Sequence, residues 1–146
     1  MFKVVLVGLV VLVSNISMAS VVEVDISNQC KVKWDTKYSM VNYCIKREIE
    51  AYNKVVAYKS TIKDSLPQQK ILNFCSNDNT EWTMLNYCIE RQNKALFKAI
   101  KIIKGDKTVE SYKIIERCME EWVEWTMVMY CHDKEIKAFN LLNGKQ

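Results

Sequence analysis

Six cysteines fall into three pairs, and each pair marks one copy of a repeated segment. Segments 30–53, 75–97 and 118–140 align around Met40-Val41-Asn42-Tyr43-Cys44-Ile45, Met84-Leu85-Asn86-Tyr87-Cys88-Ile89 and Met127-Val128-Met129-Tyr130-Cys131-His132. Four residues past the second cysteine stands an acid or amide, Glu48, Gln92 or Glu135, and seven past it an alanine, Ala51, Ala95 or Ala138. An aromatic precedes each methionine (Tyr38, Trp82, Trp125), and a second aromatic position holds Trp34 and Trp122 but Asn79 in the middle copy. The cysteine-to-cysteine period of 43 to 45 residues suits a pair of helices. Three copies is also the number at which stacked repeats become stable.

Helix is the expected state after each methionine. Met40, Cys44, Arg47, Ala51, Val55, Tyr58 and Ile62 recur at three- and four-residue steps with no proline or glycine between them, and Met84, Cys88, Arg91, Ala95, Ala99 and Ile102 repeat the stripe. The breaks fall at residues 63–67 and 104–106, where Pro67 suits a helix start and Gly105 a helix end. Shorter helices are expected over about 67–75 and 107–118, with Asp78, Asn79 and Thr80 supplying turn and capping chemistry in the middle copy. Residues 118–131 contain no strong breaker. One continuous helix there would hold its cysteines about 20 Å apart, so pairing requires a turn near residues 121–124. The alternation of apolar and acidic residues over 21–26 reads as an extended arm or a frayed first helix.

The cysteines read as disulfides rather than metal ligands, because they lie twelve or more residues apart and the sole histidine is His132. A repeated unit should repeat its pairing. Bridges inside each unit give Cys30 to Cys44, Cys75 to Cys88 and Cys118 to Cys131; bridges between successive units leave Cys30 and Cys131 over. The second pattern sets Cys44 and Cys75 at unequal distances from the break near Ser65, an offset of about 16 Å along antiparallel helices. That exceeds the roughly 7 Å reach of a disulfide, so pairing within units is expected.

Residues 1–19 read as a secretory signal peptide: Lys3, an apolar run over 4–13, and small residues Ser17 and Ala19 around Met18 at the cleavage positions. The run is too short to span about 30 Å of hydrocarbon, so no stable membrane span is expected once the signal is cleaved. The mature chain, 20–146, is expected to be a single helical domain of three repeats, about 20–64, 65–105 and 106–146. Its charge is mild. The chain carries +4, the leader removes Lys3 and no acid, and basic and acidic residues are interspersed, so nucleic acid is not an expected partner.

No catalytic constellation stands out. His132 replaces an isoleucine of the other copies, no Ser/His/Asp arrangement is legible from one histidine, and Glu120, Glu121 and Glu124 read as a solvated helix start rather than paired acid and base. No metal, cofactor or enzymatic activity is expected. Met40, Tyr43, Met84, Tyr87, Met127 and Tyr130, with Ala51, Ala95 and Ala138, read as the repeated core rather than as a ligand groove.

The pattern of cysteine, aromatic, Met-x-x-Tyr-Cys and a following Gln or Glu resembles a motif of small exported bacterial cysteine-repeat proteins of unknown function, here covering nearly all the mature chain. His132 and Asn79 depart from its neatest version. The resemblance implies an exported, non-catalytic protein and names no ligand. Six-cysteine helical odorant carriers are similar in size and export but need a Cys-x-x-x-Cys pair that this chain lacks. The expected fold is all-α, three tandem disulfide-linked helical hairpins after a signal peptide. The expected role is a secreted or periplasmic module that binds a protein or envelope component. An inhibitor of a secreted hydrolase would need a protruding loop, for which residues 77–80 are the candidate; a carrier of a small apolar ligand would need a dry cavity.

Overall fold

The computed structural model describes residues 18–105 and 109–144. The signal peptide read over 1–19 falls almost wholly outside the described residues, as do residues 106–108. Six helices occupy the described chain: α1 Met18–Trp34, α2 Tyr38–Thr61, α3 Leu66–Asp78, α4 Trp82–Ile103, α5 Glu110–Glu121 and α6 Trp125–Leu142. They form three hairpins closed by Cys30–Cys44, Cys75–Cys88 and Cys118–Cys131, with Cα separations of 5.7 to 5.8 Å. The all-α, disulfide-linked hairpin architecture is therefore present. None of the described helices is long and apolar enough to cross a membrane, and three disulfides fit an oxidising compartment.

Of the two alternatives for residues 21–26, an extended arm or a first helix, the helix is present. The stretch 21–26 is helical, part of α1, because its alternation carries no turn residue and the following turns of α1 continue it. The candidate loop 77–80 is shorter than expected: Asn77 and Asp78, both exposed, form the last turn of α3, and Asn79 donates from Nδ2 to the Cys75 carbonyl at 2.8 Å, tying the link back to the helix end. In the third unit the open question resolves as a hairpin, with the chain turning at residues 122–124. Here Trp122 and Glu124 take extended backbone angles, as Asn79 and Glu81 do in the second unit. The first unit has one more residue between its cysteines. There Asp35 adopts φ 44°, and its amide bonds to the Lys31 carbonyl, a left-handed helix end that aspartate tolerates better than branched residues.

The chain divides into two compact units between Ile45 and Lys46, inside α2. In the first, Ile26, Cys30 and Val41 are buried. The second has two hydrophobic clusters, both involving α4. One joins Val55, Ile71, Cys75, Leu85, Ile89 and Leu96; the other joins Ala95 and Ala99 to Ile114, Ile115, Cys118, Val128 and Met129. Trp125 packs against both. Small residues on one side of α4 admit α5 and α6, and larger ones on the other side fill the space toward α3. A buried Leu or Ile of this kind contributes roughly 1.5–3 kcal/mol.

Each bridge closes a loop of nearly the same length, so each should contribute similarly. Replacing Cys75 and Cys88 together by alanine is expected to lower the unfolding free energy by about 3 kcal/mol, read as a shift in urea midpoint with helix content kept. An unchanged midpoint would remove the disulfide from the account of stability.

Candidate functional site: the seams and an aromatic pocket

A helix start leaves its first amides without intrahelical partners. Neither α4 nor α6 solves this with its own N-cap side chain, since Glu81 and Glu124 make no such bond. The acceptor comes from the preceding repeat. Glu48 accepts from the Thr83 hydroxyl and, at 3.3 Å, from the Thr83 amide. Gln92 does the same one unit later: its Oε1 accepts the Thr126 amide at 3.2 Å while its Nε2 donates to Glu124 at 3.0 Å and to the Thr126 hydroxyl at 3.3 Å. Gln92 is buried and fully satisfied. The repeated acid or amide thus caps the next unit's helix from across the seam.

The seam leaves matching grooves at the surface. Arg47, Glu50, Ala51 and Lys54 face Thr83, Asn86, Tyr87 and Glu90 in one; Arg91, Lys94, Ala95 and Lys98 face Thr126, Met129, Tyr130 and Asp133 in the other. Counted from each second cysteine, these are the same eight positions. Lys54 and Glu90 lie 3.8 Å apart, and Arg91 sits 5.5 Å from the Tyr87 ring centre.

Here the expected core needs correcting. Tyr43, Tyr87 and Tyr130 are each more than half exposed, Met84 is half exposed, Met40 and Met127 are half-buried, and Ala138 is exposed, whereas Ala51 and Ala95 are buried. The physical reason is angular. The residues that pack inward lie three before the second cysteine (Val41, Leu85, Val128) and four, seven and eleven after it, and at about 100° per residue these fall on one side of the helix. The tyrosine just before the cysteine sits about 125° away from the middle of that side.

His132 is buried because it occupies the inward position of Ile89. Its Nε2 lies 2.8 Å from the Ser111 hydroxyl and its Nδ1 3.1 Å from the Asp133 carboxylate, so a Ser-His-Asp contact order exists that sequence spacing did not reveal. A nucleophilic relay uses a buried carboxylate to orient its imidazole. Asp133 instead has a side chain 68% exposed and is the next residue on the same helix, which makes the trio a way of satisfying a buried histidine. Among the described residues no three metal-binding side chains converge.

Two further concavities open to solvent. A pocket of about 270 Å³ is lined by Phe74 from α3, Met119 from α5, Trp122 and Val123 from the third unit's turn and Trp125 at the start of α6, together with Lys70, Glu120 and Glu124. Val123 is 85% exposed. A groove of about 810 Å³ along α2 and α4 sets Phe97 among Lys54, Lys94, Lys98 and Lys101. At its side Tyr58 donates to Asn93 at 3.1 Å. Burial pushes the Tyr58 hydroxyl above its usual 10, with the Asn93 bond pulling the other way.

Compared with protein-family models, curated proteins and solved structures, this chain matches none. Two outcomes are expected from substitution. Gln92→Ala, which strips the α6 start of its acceptor, should cost about 1–3 kcal/mol, and Thr126→Ala should cost little more in that background, as a double-mutant cycle in urea would read. His132→Ile, the residue of the other units, should leave the melting temperature unchanged or higher, and a fluorophosphonate probe should leave Ser111 unlabelled; labelling would make the trio a nucleophilic site.

Proposed function

We propose that the protein is an exported, non-catalytic interaction module that binds a protein or envelope component through the aromatic pocket at the junction of its second and third repeats. The observation that carries this reading is an apolar patch contributed by neighbouring units: half-buried Phe74 from one, exposed Met119, Trp122 and Val123 from the next. Tryptophan with a surrounding apolar rim is the composition of interface hot spots, and a pocket that already exists loses little on ordering. Lys70, Glu120 and Glu124 give the rim both signs of charge, which selects orientation more than affinity. The inhibitor reading loses support because Asn77 and Asp78 are helical and Asn79 is bonded back to the Cys75 carbonyl, which leaves a short link in place of an extended loop. Among the described residues the pocket and the grooves open to solvent, which favours the interaction module over a carrier with a dry cavity.

Export and the cleavage of residues 1–19 belong to the same proposal, supported by the charged, apolar and small-residue pattern of the leader and by the three disulfides. The test is a photo-crosslinking residue placed at Val123 and, separately, at Lys59 on the exposed side of α2, in protein exported by its own leader. One discrete adduct from position 123, lost when Trp122 is changed to alanine, is the expected result. Equal adducts from both positions, or none from either, would reject the pocket as the binding surface.

A further inference from the structure

The two internal seams define what a covered and an uncovered repeat face look like. On the trailing side, the positions four, seven and eleven residues past the second cysteine are occupied by Glu48, Ala51 and Val55, then Gln92, Ala95 and Ala99, then Glu135, Ala138 and Leu142. Val55 is 2% exposed and Ala99 0%, because a following unit covers them, whereas Leu142 is 87% exposed and Ala138 is exposed beside it. On the leading side, Trp82, Thr83 and Asn86 are half-buried, and Trp125, Thr126 and Met129 are half-buried or buried. Their counterparts Tyr38, Ser39 and Asn42 are all exposed, Tyr38 by 75%.

We propose that these two faces are complementary and that the chain associates head to tail with a second copy, the trailing face of the third unit receiving the leading face of the partner's first. Repeat equivalence supplies the contacts. Ser39, second residue of its helix like Thr83 and Thr126, presents its amide and hydroxyl where Glu135 would accept them, and Tyr38 meets Phe139 as Trp82 meets Tyr52, whose rings sit 4.9 Å apart edge to face. Glu135 is held through Oε2 by Arg117 at 2.7 Å, which leaves Oε1 for the incoming serine.

The charges at these faces agree. Inside the chain, Phe74 lines a pocket with Trp122 and Val123. In the intermolecular seam the matching residues are Arg117, Trp34 and Asp35, so an apolar set is replaced by an opposite-charge pair across an aromatic ring, a combination suited to ion pairing and cation–π contact. One internal pair has no equivalent: Lys46 and Leu141 stand where Glu90 and Lys54 pair. A pair this exposed adds little to a seam, so the association is weakened but not abolished. A contact between two different faces is heterologous and extends to a ring or an open filament rather than stopping at a symmetric dimer.

Sedimentation of the disulfide-bonded chain, produced in an oxidising compartment, tests this independently of any binding partner. The expected result is a weight-average mass that climbs past dimer as concentration is raised toward the millimolar range. Ala138→Arg blocks the trailing face and Asn42→Arg the leading face, both at exposed positions where the fold is unaffected. Each variant alone should be monomeric, and their mixture should stop at a one-to-one dimer, since one free face of each kind remains. A wild-type chain that is monomeric throughout, or an association that survives in either variant alone, would overturn the proposal.

Discussion

The position of the first cysteine in each hairpin governs what every later residue can do. Cys30, Cys75 and Cys118 are almost wholly buried, and the second cysteine of each pair reaches them from a neighbouring helix across less than 6 Å of Cα separation. That geometry fixes the rotation of the second helix about its own axis. Once the rotation is set, Val41, Leu85 and Val128 point inward and the adjoining tyrosines point outward, whatever their chemistry would prefer. The repeated Met-x-x-Tyr-Cys signature therefore specifies an orientation, and its tyrosine is a surface residue whose recurrence has to be explained by the seam grooves rather than by the core.

The seam itself rests on a second constraint, the unsatisfied amides of a helix start. Because Glu48 and Gln92 answer those amides in the next repeat, capping and stacking become one interaction. Small alanines beside the caps let the backbones approach, and the tryptophan at the start of α6 packs on both hydrophobic clusters at once. Local helix chemistry and tertiary packing are thus held by the same few side chains.

Much of this was legible in the sequence for physical reasons. Cysteine spacing, the recurrence of alanine, and the proline and glycine breaks are local properties, so helices, hairpins and pairing could be read from them. The orientation of each helix was not, because choosing the cysteine as the centre of the buried stripe put Tyr43, Tyr87 and Tyr130 on the wrong side of it by a fraction of a turn. The acid or amide after each cysteine was visible as a recurrence, but its partner lies more than thirty residues ahead and only the fold brings Thr83 and Thr126 to it. Ser111 meeting His132 is of the same kind: neither residue repeats in the other units, so no pattern announced the contact.

A cap supplied by the preceding repeat gives the array a direction. The starts of α4 and α6 are completed by side chains that have already emerged, α2 serving α4 and α4 serving α6. A polypeptide threaded through a membrane from its N-terminal end would meet both of these requirements in the order in which they appear, each finished hairpin acting as the template on which the next is laid down. Truncation is correspondingly asymmetric. Loss of the last hairpin leaves a complete seam behind it, whereas loss of the first leaves α4 with orphaned amides at the site where the following repeats would begin.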